Sequence, residues 1–438
     1  MKHPLKEIVE LQKKGIPKGM YSICSANEYV IEAALERALK DNLHVLIEAT
    51  ANQVNQFGGY TGMKPEDFAG FVMNIANRLN FPEEKIILGG DHLGPLTWNN
   101  EKAETAMEKA RELVRQFVLA GFTKIHIDTS MHLGDDNRKE RLDSRVIAQR
   151  GADLCKCAEE AFRELKESKA DALYPVYVIG SEVPIPGGSQ EEEEECIQVT
   201  KVKDFEDTVE IFKNAYFALG LEQAWENVIA VVVQPGVEFG DESIHEYDRK
   251  AAKELTDAIK KYANLVFEGH STDYQTELSL KEMVEDGIAI LKVGPALTFA
   301  LREGLFALSI IETELFKGNS NVGKSDFMDV LDKAMVDNPD NWKKHYHGTQ
   351  DRISLARKYS FSDRCRYYLP VKEVNESIAR LINNLESVKI PLTLLSQYMP
   401  IQYTKVRKGL IKNEPRELLK DRIVNCIDEY LYAINPNN

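Results

Sequence analysis

Up to about residue 310, short apolar runs rich in β-branched residues alternate with stretches of helical periodicity. The runs are Met20–Cys24, His44–Ala49, Ile86–Leu88, Lys124–Ile127, Val176–Ile179, Val228–Val233, Leu265–Phe267 and Ile288–Val293, which predicts eight strands. The segments between them carry helix start signals. Ser25-Ala26-Asn27-Glu28 has capping-box spacing ahead of Tyr29–Leu39. Pro65-Glu66-Asp67 opens a helix through Leu79, with proline in the first turn and acids at the positive end of its dipole. Strands that alternate with helices must be parallel and joined by crossovers. A doubly wound open sheet is the main rival, but eight such units fit a closed (β/α)₈ TIM barrel better.

Two stretches break the rhythm. Pro184-Ile185-Pro186-Gly187-Gly188, followed by the acidic run Glu191–Glu195, reads as a loop after the fifth strand: either a lid on the catalytic side or a plain solvated insertion. After Phe316 the alternation stops. Gly318–Lys324 is linker-like, and the remainder reads as helices, among them Val374–Leu385 and Glu417–Ile434. The expected organisation is a barrel over residues 1–316 and a mainly helical C-terminal segment over 317–438, packed near the barrel mouth.

Composition narrows the partners. Of 438 residues, 43% are hydrophobic and 29% charged, which suits a folded chain with a large core. A formal net charge of −15 argues against nucleic-acid binding, which requires a basic face, although one basic pocket for a sugar phosphate remains compatible with it. Among the six cysteines only Cys155 and Cys157 are close, and at i, i+2 in a helical stretch they face apart. Reduced thiols in a reducing compartment are expected. The N-terminus has no apolar signal-peptide core, and no run of about 18 apolar residues suggests a membrane span. A cytoplasmic, soluble protein without membrane or nucleic-acid partners is expected.

The chemistry sits at the strand ends. Alternate residues of a strand share a side. In Lys124-Ile125-His126-Ile127-Asp128, the isoleucines belong against helices, so His126 and Asp128 point into the lumen. Glu268 and His270 have that parity on the seventh strand, Glu48 ends the second, and Lys292 lies on the eighth. Glu182 follows the fifth strand, and Asp91-His92 follows two glycines on the third. Any one of these could be a satisfied core group or a helix cap. Together, ionisable groups on six strands gather at the end where barrel active sites are built. Burying that many charges is costly unless they pair or bind a metal. His92 and His270, with oxygen from Glu182 or Gln234, suit a borderline divalent ion such as Zn²⁺, Mn²⁺, Co²⁺ or Ni²⁺.

Several motifs carry a family likeness. Gly89-Gly90-Asp91-His92-Leu93-Gly94-Pro95, Lys124–Asp128, Ser181-Glu182-Val183-Pro184, Val233–Phe239, Glu268–Gln275, Lys292–Thr298 and Tyr359–Arg364 resemble the Z-subunit family of D-tagatose-1,6-bisphosphate aldolase along nearly the whole chain. The family looks distantly related to class II aldolases, metal-dependent barrels. Some members are regarded as non-catalytic partners that stabilise an aldolase subunit. Others are metal-dependent epimerases, including tagatose 4-epimerase and tagaturonate epimerase. The resemblance implies His92 and His270 as metal ligands and Asp91 as proton-transfer group. Gln234 stands where class II aldolases have a histidine ligand, and Gly294 where an asparagine would meet the substrate carbonyl, so ordinary bisphosphate aldolase activity is not what these residues favour. Glu182 can complete the metal site.

Inverting C4 of a 2-ketose without a redox cofactor requires breaking and remaking the C3–C4 bond, because only the C3 hydrogen is acidic. No GxGxxG follows a strand in a dinucleotide-binding context. The expected function is therefore a metal-dependent epimerase of ketohexoses or related keto-sugars, with fructose/tagatose interconversion favoured. The alternatives are a non-catalytic stabilising subunit of tagatose-bisphosphate aldolase and an aldolase that releases its trioses. Asp91, Asp128 and His126 are the catalytic candidates, His126 either orienting Asp128 or acting as a further base. Glu48, Gln234, Glu268, Asp273 and Lys292 are the substrate-binding candidates, and His92, Glu182 and His270 the metal ligands. Arg302, Arg364 and Arg366 are candidates for a phosphate as well as for surface or packing roles. A homo-oligomer is expected, and an aldolase subunit is the candidate protein partner.

Overall fold

The computed structural model describes residues 2–181, 197–318 and 321–435. Eight parallel strands close a barrel: β1 (Met20–Cys24), β2 (Val45–Thr50), β3 (Ile86–Leu93), β4 (Lys124–Ile127), β5 (Val176–Ile179), β6 (Val228–Val233), β7 (Val266–Gly269) and β8 (Ile288–Val293). Each pairs with its sequence neighbours, and β1 closes the ring against β8. An antiparallel ribbon, Glu238–Phe239 with Ile244–His245, is inserted after β6. Among the described residues no helix is long and apolar enough to cross a membrane.

The strands are buried on both faces, which explains their near-continuous apolar runs. Outward-facing Ile47, Ile125, Ile127, Ile179 and Val231 pack against the surrounding helices. Inward-facing Met20, Leu46, Ile87, Val176, Val178 and Val232 form a second, separate apolar cluster. Helix Pro4–Lys13 closes that cluster from below with Leu5, Ile8 and Val9, the i, i+3, i+4 stripe of an amphipathic helix. Water is thus excluded from the lower lumen, and the ionisable residues are stacked above it.

Beyond helix Pro295–Leu315 the chain is helical, from Phe327–Asp337 to Pro415–Ile434. Its parts go to two places. The last helix lies along the barrel flank, against helices Glu28–Asp41, Glu277–Glu285 and Pro295–Leu315. Residues 360–368 lie instead over the loops that follow the strands. The Ser360 and Ser362 hydroxyls donate to the Asp241 carboxylate in the ribbon turn at 2.9 and 3.1 Å. The Tyr274 hydroxyl donates to the Phe361 carbonyl at 2.6 Å, and the Thr298 hydroxyl to the Asp363 carboxylate at 2.6 Å.

Candidate active site at the barrel mouth

A layer of alternating charge sits on the apolar plug. Lys124, fully buried, places its ammonium 2.7 Å from carboxylate oxygens of both Glu48 and Glu268. Lys292 pairs with Glu48 and lies 3.1 Å from Asp91 Oδ2. Strands β2, β3, β4, β7 and β8 are tied together by this chain of ion pairs. Burial alone would raise the carboxyl pKa of Glu268, but Lys124 and the His270 hydrogen bond outweigh it and hold the group well below the carboxylate range. Burial likewise opposes the charge on Lys292, and Asp91, Cys24 and Glu48 reverse the effect and raise its pKa. Lys124 is absent from the residues expected from sequence, yet it shares parity with His126 and Asp128. The same rule that placed those two in the lumen places it there as well. Gly89 makes room: a β-carbon there would lie 2.6 Å from the Glu48 side chain.

Above this layer the backbone of β3 bulges. Gly90 pairs with Ile125 and Leu93 with Ile127, so three steps on one strand oppose two on the next. His92 occupies the left-handed region at φ 47°, a conformation that costs a non-glycine residue about 1 kcal/mol or more. The bulge lets consecutive residues Asp91 and His92 both enter the lumen, which regular alternation forbids. The rings of His92, His126 and His270 form a triangle with centroids 4.8, 4.8 and 5.3 Å apart.

Each imidazole is anchored through a ring nitrogen. His92 Nδ1 donates to Asp128 Oδ2 at 2.8 Å, His126 Nε2 to the Gly180 carbonyl at 2.9 Å, and His270 Nε2 to Glu268 Oε1 at 3.0 Å. In a neutral His92 ring this leaves the lone pair on Nε2, the usual outer-shell pattern around a metal. Ligand atoms of Asp91, His92, His126 and His270 all lie within 4.8 Å of one another, a spacing that can contract onto one ion with bonds of about 2.0–2.1 Å. Burial pushes the His126 pKa down. A neutral ring that donates from Nε2 to the Gly180 carbonyl accepts at Nδ1 the His92 backbone N–H at 3.2 Å, beside Asp91 Oδ1 at 2.8 Å. The donor set of three imidazoles and a carboxylate fits a borderline divalent ion.

The other expected residues separate into distinct surroundings. Asp91 is drawn well below the carboxylate range: burial opposes ionisation, and Lys292, His92 and the His126 hydrogen bond overcome it. Asp128 is also held low, by His92, against its burial, and it accepts from the Ser130 amide and hydroxyl. The Gln234 side-chain oxygen accepts from the backbone of Gly236 and Val237 at 2.8 and 3.0 Å, so it holds its own turn, and Nε2 has no partner among the described residues. Asp273 Oδ1 accepts from the Gly294 and Ala296 amides at 3.0 and 2.8 Å, capping helix Pro295–Leu315. Burial, opposed by those amides, raises its pKa to about 6. Glu182, the Pro184–Gly188 loop and Glu191–Glu195 lie outside the described residues. Arg302 is a packing residue, stacked 4.1 Å from the Phe299 ring centroid and 3.3 Å from Asp363.

A small cleft of about 40 Å³, open to solvent, adjoins these groups and is lined by Cys24, Ser25, Gln53, Tyr60, Thr61 and Arg366, among others. Cys24 connects it to the lumen, with Sγ 3.9 Å from Asp91 Oδ2. The C-terminal segment forms its far wall, where the Tyr60 and Tyr367 rings meet edge to face at 4.8 Å.

Residues 5–435 match the family described as D-tagatose-1,6-bisphosphate aldolase subunit GatZ/KbaZ-like. Among solved structures, the chain is similar to a probable tagatose 6 phosphate kinase from Sinorhizobium meliloti 1021. Identity there is 42% over 95% of this chain and 100% of that one, with a TM-score of 0.86. A fructose-bisphosphate aldolase from Campylobacter jejuni is matched at 16% identity over 87% of this chain and 92% of the other, with a TM-score of 0.42.

Proposed function

The chain belongs to the D-tagatose-1,6-bisphosphate aldolase subunit GatZ/KbaZ-like family, and from that premise we propose that it is a divalent-metal-dependent epimerase of ketohexoses or related keto-sugars. The favoured reaction is inversion at C4, as between fructose and tagatose. The observation that carries this reading is the trio of histidines, gathered with Asp91 so that their ligand atoms lie within 4.8 Å of one another. A subunit that only stabilises a partner has no physical need for buried imidazoles and acids held at some energetic cost.

His92, His126 and His270, with Glu182 as a further candidate, would hold a Zn²⁺, Mn²⁺, Co²⁺ or Ni²⁺ ion, with Asp91 beside it. The chemistry such an ion supplies is Lewis-acid polarisation of the C2 ketone oxygen. Asp91, ionised, takes the proton of the C4 hydroxyl. The C3–C4 bond then breaks, its electron pair moving onto the C2–C3 unit while C4 becomes an aldehyde. Lys292, 3.1 Å from Asp91, adds fixed positive charge where negative charge grows. Rotation of the aldehyde presents its other face, the bond re-forms, and Asp91 returns the proton to the C4 oxygen. Asp128 orients His92, and Glu268 orients His270. Glu48 and Lys124 hold Lys292 and Glu268 in place from below.

The test is to purify the chain alone, strip it with a chelator, add back each ion, and follow fructose, tagatose and tagaturonate by NMR. Loss and recovery of interconversion is expected. Release of trioses that a coupled dehydrogenase consumes would point to an aldolase. A metal-replete chain that converts none of these sugars but raises the thermal stability of an aldolase subunit would establish the non-catalytic partner instead.

A further inference from the structure

His270 and Lys292 stand just past the point where backbone pairing stops holding their strands together. The last registered pair between β7 and β8 is Gly269 with Leu291. The next residue on each strand carries a functional side chain. His270 joins the imidazole trio, and the Lys292 ammonium lies 3.1 Å from Asp91 Oδ2. The Thr272 hydroxyl takes over where the ladder ends. It donates to the Lys292 carbonyl at 2.6 Å, which ties the chain two residues beyond His270 to the backbone of Lys292.

That hydroxyl is held in turn from the C-terminal helix. Tyr430, on helix Pro415–Ile434, donates to the Thr272 carbonyl at 2.8 Å and lies 3.2 Å from Thr272 Oγ1. Thr272 has one hydroxyl hydrogen and Lys292 receives it, so the Tyr430 hydrogen points at Thr272 and not the reverse. Both side chains are buried, so water cannot replace either bond. Burial also pushes the Tyr430 phenol well above its ordinary range, which keeps it a donor. The tether works against strain. Ser271 and Tyr274, on either side of it, occupy the left-handed region at φ 51° and 65°, which costs about 1 kcal/mol or more each. Strained backbone persists only while its surroundings over-determine it. Loss of the contacts at Thr272 therefore frees His270, two positions back, to shift.

We infer that Thr272 and Tyr430 are positioning residues, which fix the His270 ring and the Lys292 side chain in register across the end of the β7–β8 ladder. The last helix thereby acts on the site through a backbone carbonyl rather than through a side chain in the lumen. This rests on the metal reading of the site for what His270 does, but the bonding itself needs no ion.

Three variants of the full chain test it without turnover. Thr272→Val removes the hydroxyl at nearly constant shape, Thr272→Ser keeps it, and Tyr430→Phe keeps the ring. Affinity for Co²⁺ and Zn²⁺, read by chelator competition, should fall about tenfold or more in Thr272→Val, as when an outer-shell partner is lost. It should fall less in Tyr430→Phe and return most of the way in Thr272→Ser. A merely structural role would lower the denaturation midpoint and leave the affinity of the folded chain unchanged. The metal-free chain, labelled with ¹⁵N-histidine, supplies a second readout. Its His270 ring signal, assigned through His270→Gln, should move in Thr272→Val and return in Thr272→Ser. A folded Thr272→Val with parental metal affinity and a parental His270 signal overturns the inference. If Thr272→Val does not fold, the same two parental values in Tyr430→Phe overturn it. An unaltered chain that binds no divalent ion refutes the metal reading, and the His270 signal alone then decides this one.

Discussion

Replacing Lys124 with methionine probes the buried charge layer directly. The side chain is fully buried, and its ammonium lies 2.7 Å from both Glu48 and Glu268. At an effective dielectric of about 20, each contact is worth about 6 kcal/mol of Coulomb attraction, most of it cancelled by the desolvation of three ions. Methionine matches the length but leaves the acids under-compensated. Glu48 keeps Lys292, and among the described residues Glu268 keeps His270 as its ion-pair partner. Removing one partner of a buried pair typically costs about 3–5 kcal/mol. With an unfolding entropy of about 2.1 cal/mol/K per residue over 438 residues, that is a fall in Tm of about 3–5 °C.

The pH dependence has a definite sign. In the unaltered chain the Glu268 pKa is depressed, so its contribution is complete above the unfolded carboxyl value and constant between pH 7 and 5. In Lys124→Met that carboxyl is pushed upward, so the variant should regain stability relative to the parent as pH falls from 7 to 5. Adding Glu268→Gln should recover part of the loss by removing the orphaned charge. Urea denaturation at the two pH values measures both effects. A single variant within about 1 kcal/mol of the parent, or a double variant showing the sum of both losses, would refute the reasoning.

Other outcomes follow from individual contacts. Asp128→Asn weakens the hold on His92 and should lower metal affinity about 10- to 100-fold in chelator competition; unchanged affinity would mean Asp128 does not orient a ligand. Asp273, with a pKa of about 6 against the ordinary 3.8, makes the fold more stable as pH falls from 7 toward 4. Asp273→Asn should flatten that slope while staying at least as stable at pH 7, whereas Asp273→Ala should lose about 1 kcal/mol with the helix cap, both read by denaturant midpoints. Gly94→Ala would set a β-carbon 1.7 Å from the Asp128 carbonyl, so β3 and β4 must separate. A loss of about 3 kcal/mol or more is expected, along with loss of bound metal, and a normal denaturation curve would contradict the packing.

The barrel was legible in the chain because its information is local. Eight apolar runs, their helix caps and a period of two suffice to count strands and to sort Ile125 and Ile127 outward from His126 and Asp128. The same parity contains Lys124, whose apolar-run position masked its charge. What the linear pattern could not contain was anything that depends on a break in regularity or on contacts between distant segments. A one-residue bulge brings His92 beside Asp91, where strict alternation would send it outward. Gln234 and Asp273 sit at strand ends like the reactive groups, but neighbouring backbone amides claim their side-chain oxygens, and only the folded turns show it. Arg366 reaches the mouth because residues 360–368 are pinned to loops more than 60 positions earlier in the chain. Period and composition determine which elements form and which face is buried. The closing of the ring decides which charges become neighbours, because Coulomb and hydrogen-bond energies depend on distances that sequence separation does not set.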